Sequence, residues 1–388
     1  MAGSGPGLKT PDLVKQVATA NSQFGLDLYK KVASDLKDSN VFLSPFSISA
    51  ALAMTQLGAR GDTAAQMNQV LKWTDLQDSV HPGFEDYLGL LKTQGDYVLT
   101  TANRLFISDT CQLLPDFLKD TMFHYEAETA LADFQGSTAR EVKKINAWVE
   151  ATTNGKILNL IADLDPSTIL VLVNAVYFKG SWEQMFSKEC TNRDKFTVNA
   201  YQEVIVDMMH SKKKFNLCFD ETLNCQILEM PYVGGDLAMY VLLPKCLDGL
   251  DELEHKLNVN TLEFALSHMQ KLMVSVTLPK FTLQSSFHLN GILKSLGMTH
   301  AFDEHKADLS GIDGTRLLYI SEVVHKAFLE VNEEGSEAAA ATAVVVRKRK
   351  RVREDVEYFV ANRPFLVIIK DKRADIVLFM GRLLNPCA

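Results

Sequence analysis

The stretch Ile169–Phe178 constrains this chain more than any other part of its sequence. It is a ten-residue run, apolar but for Asn174 and too uniform for a strand with one wet face. Such a run predicts a strand covered on both sides, so the sheet that holds it must lie between two layers. Val274–Leu278 alternates Val, Ser, Val, Thr and Leu, as a half-buried strand should. Phe365–Ile369 and Ile376–Met380 are two further apolar runs near the end, and strand signals begin at Tyr97. Helical spacing dominates the first half. Leu13–Val32 repeats apolar residues at helical intervals, and Ser44–Gly58 is an alanine-rich helix with Pro45 placed to open it. Ser137 precedes Val142, Ile145 and Val149, which share one helix face, and Gly155 offers the stop. With no internal repeat and no Pro/Ser linker, the expectation is one interlocked α+β domain over residues 1–388.

Several classes of function are excluded or disfavoured early. No window approaches 18 unbroken apolar residues, which excludes a membrane-spanning helix. The first 25 residues lack the apolar core of a cleaved signal. Six cysteines are scattered without a CxxC pair, so neither a zinc site nor a disulfide framework is expected. The sequence holds no Asn-x-Ser/Thr acceptor, no GxSxG, no HExxH, no phosphate loop and no GxGxxG turn. No cofactor, metal or catalytic residue is therefore expected, and binding or regulation is favoured over catalysis. The formal charge of −8 hides a local exception. Arg347, Lys348, Arg349, Lys350, Arg351 and Arg353 fall within seven positions, and removing them leaves −14 on the rest.

That basic run closes a segment of unusual composition, residues 331–353, VNEEGSEAAAATAVVVRKRKRVR. Glu333, Glu334 and Gly335 make a polar start, read as flexible. From Ser336 to Val346 every residue but Glu337 is small or β-branched. One face carries Ser336, Ala338, Ala340, Thr342, Val344 and Val346, with nothing bulky or charged on it. That face can slide between two strands of a sheet, while Glu337 would point to solvent. Taken alone, an alanine-rich run is more often a helix, and a basic run more often a solvated face, an import signal or a nucleic-acid patch. A segment able to be both exposed loop and buried strand, ending in a tryptic cleavage signal, instead suggests bait on a spring.

The rest of the chain tips that balance. EEGSEAAAATA (Glu333–Ala343), NVFLSPFSISAALAMTQLGARGDTAAQM (Asn40–Met67), NAVYFKGSWE (Asn174–Glu183), HKAFLEVNEEG (His325–Gly335), LPKF (Leu278–Phe281), ANRPF (Ala361–Phe365) and FMGRLLNP (Phe379–Pro386) stand in one order along the sequence. Together they resemble the signatures of the serpin family of protease inhibitors, from about residue 18 to 386, and most closely its ovalbumin-like intracellular branch. The resemblance implies an α+β fold of three sheets and about nine helices, with an exposed reactive-centre loop at about 333–357. It implies a suicide inhibitor: a protease cleaves the loop, is held as an acyl-enzyme, and is carried off as residues 336–346 insert into the central sheet. A strand of about eleven residues adds about ten ladder bonds at ~0.5–1.5 kcal/mol each, or on the order of 5–15 kcal/mol. That rivals the ~5–15 kcal/mol stability of a whole domain, so insertion can drive a large change.

Particular residues follow from the same resemblance. Ser44, Ser47, Asn174 and His325 match the shutter, a polar cluster beneath the sheet, and Trp182 matches the breach where insertion starts. Glu333, Glu334, Gly335, Ser336, Glu337, Ala338, Ala339, Ala340 and Ala341 match the hinge. Family spacing puts the reactive bond between Arg349 and Lys350, with Arg351–Val352 the next choice because the loop is a few residues longer than usual. The expected partner is a trypsin-like serine protease, or a furin-like convertase, with a carboxylate at the base of its primary pocket. A monomer is expected, with no membrane, nucleic-acid or heparin partner; Lys212–Lys214 is only a weak polyanion candidate. The expected location is the cytoplasm, with nucleocytoplasmic residence or signal-less secretion left open, since the C-terminal NPCA and longer N-terminus depart from the usual intracellular pattern. The rival reading of a nuclear-import or nucleic-acid segment predicts salt-dependent DNA binding and no covalent complex.

Overall fold

In the computed structural model, residues 11–92, 97–336 and 355–388 are described. The run Ile169–Phe178 supplies the strand Leu170–Ser181, buried on both faces over most of its length. It lies at the middle of a six-stranded sheet whose order is Phe281–His288, Glu322–Val331, Leu170–Ser181, Tyr97–Ser108 and Thr129–Ala132. The sixth strand is the two-residue piece Gly335–Ser336, paired to the end of Leu170–Ser181. The joint between Glu322–Val331 and Leu170–Ser181 is parallel, with Glu322 opposite Val171 and Phe328 opposite Tyr177. Its outer neighbours, Phe281–His288 and Tyr97–Ser108, are both antiparallel.

The second sheet has nine strands, including Phe365–Asp371 and Ile376–Leu383, both buried throughout. The 19-residue strand Gln202–Asp220 pairs at different points with three neighbours, so it joins two surfaces into one hydrogen-bonded sheet. The three sheets expected thus share two continuous hydrogen-bond networks. Val274–Leu278 lies in the strand Gln270–Pro279 with its valines and leucine buried and Ser275 and Thr277 partly exposed.

Ten α-helices pack around these sheets among the described residues. Pro11–Asp35 contains the expected first helix. Pro45–Gln56 begins as the sequence predicts: Ser44 caps it by accepting from the Ser47 N–H, and Pro45 takes the first helical position. Pro45 to Thr55 are all buried, so this helix is covered all round and runs through the core beneath the six-stranded sheet. The helix expected after Ser137 instead starts at Phe134, capped by Asp133 on the Gly136 N–H. Ser137 is a kink inside it, at φ −148° and ψ 40°. The stop is as read: after Thr152 the chain turns through Asn154 and Gly155, both at positive φ.

The six-stranded sheet separates two cores. Leu170, Leu172, Val176 and Phe178 face the main core, while Val171, Val173 and Ala175 face a smaller one. The smaller core is closed by Val142, Ile145 and Val149 of the helix Phe134–Thr152 and by Ile157, Leu160, Ile161 and Leu164 after it. Two bonds between Asn146 and the Ile161 backbone, 2.7 and 2.9 Å, hold that cover together. It is tied across the joint by Lys326 Nζ, which donates to the Leu158 carbonyl at 2.9 Å.

Candidate functional site

Three polar residues sit where an apolar sheet should have none. Asn103, Asn174 and His325 are register partners on three adjacent strands, and Phe287 continues the row on the fourth. The row crosses the parallel joint at its middle. Below it, the cap of the buried helix supplies Ser44 and Ser47. The Ser44 N–H donates to His325 Nε2 at 3.2 Å, which leaves Nδ1 to carry the ring proton and donate to Asn174 Oδ1. Asn174 Nδ2 faces the Ser47 carbonyl at 2.8 Å, Ser47 Oγ at 2.6 Å and Asn103 Oδ1. Ser47 Oγ donates to Asn103 Oδ1 at 3.1 Å, and Ser44 Oγ to the Leu378 carbonyl at 2.7 Å. Phe287 stacks parallel to His325, with ring centroids 6.3 Å apart.

Burial decides the charge state of this cluster. His325 is fully buried, and desolvation pulls its pKa down to about 3, so the ring is neutral at physiological pH. A neutral ring is also what the geometry needs, because Nε2 must accept while Nδ1 donates. Ser44, Ser47, Asn174 and His325 are therefore brought together by the fold. Asn103 belongs with them but was not singled out by sequence reasoning. Its only sequence signal is an asparagine inside the strand Tyr97–Ser108, in register with Asn174.

The second locus is at the top of the same joint. Trp182 is buried and stacks on Tyr232 with centroids 4.6 Å apart. The Trp182 backbone N–H donates to the Glu334 carbonyl at 2.9 Å, and its indole N–H to the Asn332 carbonyl at 3.0 Å. Beyond Val331 the chain reverses and re-enters the sheet antiparallel, Gly335 opposite Ser181 and Ser336 opposite Gly180. Ser336 is fully buried, its Oγ 2.8 Å from the Tyr232 hydroxyl. Gly335 sits at φ +149°, and a Cβ there would meet the Gly180 carbonyl oxygen at 2.1 Å. Only glycine satisfies both conditions.

The polar start Glu333–Gly335, read from sequence as flexible, is instead firmly tied. Glu333 is 5% exposed; its carboxylate accepts from Thr191 Oγ1 at 2.8 Å and pairs with Lys280 Nζ at 3.2 Å. Burial pushes the Glu333 carboxyl upward, but its own backbone N–H, Thr191 and Lys280 outweigh that and leave it below the usual carboxylate range. Glu334 pairs with Lys188 Nζ at 2.5 Å, which raises the lysine pKa chiefly through that hydrogen bond. The sequence hides this because both lysines and Thr191 lie far away along the chain. Glu337, Ala338, Ala339, Ala340 and Ala341, and the bond residues Arg349, Lys350, Arg351 and Val352, lie outside the described residues.

A six-stranded sheet with a polar row at its central joint, and a chain segment entering the head of that joint, defines the architecture. The family described as Serpin (serine protease inhibitor) matches residues 19–386. Leukocyte elastase inhibitor of Homo sapiens is 41% identical over 382 residues, covering 96% of this chain and 100% of that one. Serpin B6 of Macaca fascicularis is 42% identical, over 95% and 99%. Uncleaved ovalbumin superposes with a TM-score of 0.86 at 31% identity, over 95% of this chain and 100% of its own. The chain belongs to the serpin family of serine protease inhibitors. Its relatives include Serpin B6 and Serpin B11, which agrees with the ovalbumin-like branch that the sequence resembles.

Proposed function

We propose that this chain is an irreversible suicide-substrate inhibitor, not an enzyme, of serine proteases whose primary pocket takes arginine or lysine. Its reactive loop is residues 333–357 of a single domain, cut between Arg349 and Lys350, with Arg351–Val352 the next choice. The observation that carries the reading is Ser336, buried at the head of the central joint and opposite Gly180. Continuing that antiparallel register into an inserted state pairs Ser336–Val346 with Gly180–Leu170. The insertable segment and the strand that would receive it then end together, since the strand begins at Leu170. The parity of Ser336 carries Ala338, Ala340, Thr342, Val344 and Val346 to the main-core face, all small or β-branched. Thr342 arrives opposite Asn174, where insertion separates Asn174 from His325. The polar row can then be rewired, and a buried asparagine is not left without a partner.

Specificity rests on this chain's own loop. Leukocyte elastase inhibitor names an elastase target for that relative; here the loop instead carries Arg347–Arg353 with one valine among six bases. Desolvating an arginine in a primary pocket is repaid by a carboxylate, hence a trypsin-like protease. A convertase is the second target class, favoured only for cleavage after Arg351, where Lys348 takes the basic position upstream. We place the inhibitor in the cytoplasm as a monomer. Mixing the chain with trypsin and with furin, then looking for SDS-resistant complexes, tests both targets. Complete cleavage without a resistant band by either would reject the inhibitory reading.

A further inference from the structure

We infer that Asn332 is the positioning residue that sets the register in which the loop enters the sheet. The inference deepens the inhibitory reading and rests on it. Asn332 is the pivot of the reversal after Val331, and every polar group it has is committed. Its Oδ1 accepts from the Glu334 N–H at 3.0 Å and the Gly335 N–H at 3.3 Å. Its backbone N–H donates to the Gly335 carbonyl at 2.9 Å. Its carbonyl accepts from the Trp182 indole at 3.0 Å, and Nδ2 reaches Glu330 Oε1 at 3.3 Å.

These bonds fall into two sets with different jobs. The Trp182 contact fixes the turn against the end of the strand that receives the loop. The side-chain oxygen fixes the next residues against the turn, so Gly335 is delivered to Ser181 and Ser336 to Gly180. Register matters here because side chains alternate across a strand. A slip of one residue would turn Glu337 and Ala339 toward the main core and send Ser336, Ala338 and Thr342 to the opposite face. A charged Glu337 facing that core stalls insertion, and an acyl-enzyme that waits is hydrolysed. Gly335 permits the close approach to Gly180; Asn332 selects which residue makes it.

The test is the number of inhibitor molecules cleaved per trypsin trapped, with wild type alongside. Asn332→Ala removes both side-chain bonds to the backbone and is expected to raise that ratio about tenfold. Asn332→Asp, made together with Glu330→Gln so that no second carboxylate faces it, keeps the accepting oxygen and is expected within about twofold of wild type. Glu330→Gln, which alters only the Nδ2 partner, is expected to leave the ratio unchanged. A purely structural role would instead lower the melting temperature of Asn332→Ala without moving the ratio. Should Asn332→Ala fail to fold, Asn332→Ser, whose hydroxyl caps the turn more weakly, is expected between wild type and full substrate behaviour. A ratio for Asn332→Ala within twofold of wild type, or an Asp variant that traps as poorly as the Ala variant, overturns the inference. If wild type itself traps no trypsin, the inhibitory reading fails and this inference falls with it.

Discussion

Replacing Ser336 by arginine attacks the first inward-facing residue of the inserting strand. Ser336 has no solvent exposure, and its hydroxyl is the partner of the equally buried Tyr232. Two outcomes are open to the variant. If the guanidinium is forced inward, an unpaired charge sits in the core at a cost of about 3–5 kcal/mol. If it stays in water, Gly335 and residue 336 leave the sheet and the Tyr232 hydroxyl loses its partner, at about 1–3 kcal/mol. Either route slows insertion relative to hydrolysis of the acyl-enzyme, by roughly fivefold at the low end and a few thousandfold at the high end. The assay titrates trypsin with the purified chain and counts cleaved against SDS-resistant species on a gel. Ser336→Arg should be cleaved at the same bond and trap little, whereas Ser336→Thr, which keeps the hydroxyl, should trap like wild type. An Arg variant whose trapping ratio lies within twofold of wild type would refute the reasoning.

Further expectations follow from the polar row and the tied hinge. Burial holds His325 at about 3, and burial with the nearby His124 holds His81 at about 4, both below the ordinary 6.5. The unfolded chain takes up protons that the folded chain refuses, so stability is full above about pH 6.5 and is lost as pH falls toward 4. Each ring withdraws about 2 kcal/mol by pH 5. Melting curves of wild type and His325→Gln between pH 7 and 5 should show the shallower slope in the variant; identical slopes would count against a neutral buried His325. Asn103→Ala removes the Oδ1 acceptor that Ser47 Oγ and Asn174 Nδ2 share and should destabilise the uncleaved chain by about 1–3 kcal/mol in urea unfolding. Lys280→Ala takes the cation from the buried Glu333 carboxylate, so its hinge should be cut faster than wild type by a non-target protease; unchanged cleavage would argue against the tie.

Much of the framework was legible because it rests on local composition. The double-sided burial of Leu170–Ser181, the Ser44–Pro45 helix start and the alternation of Val274–Leu278 each follow from residues within a few positions. Ser137 misled because a polar residue before an apolar helix face looks like a cap, whereas Asp133 does the capping and Ser137 is a kink. The site was half legible. Ser44, Ser47, Asn174, His325 and Trp182 came from motif resemblance, but Asn103 joins them only through sheet register. The ties on Glu333 and Glu334 were hidden for the same reason, since Lys188, Thr191 and Lys280 meet the hinge only after folding. Acidic residues beside a glycine read as a loose loop until their cations are in place.

The central claim is that cleavage of the loop traps the protease by inserting Ser336–Val346 into the joint between Leu170–Ser181 and Glu322–Val331. One mixture with trypsin tests it directly, with the SDS-resistant band and the released C-terminal peptide read from the same sample. The account predicts a resistant complex and a peptide that starts at Lys350, or at Val352 if the bond after Arg351 is used. A chain fully cut within Arg347–Arg353, with active trypsin recovered and no resistant band, would contradict it.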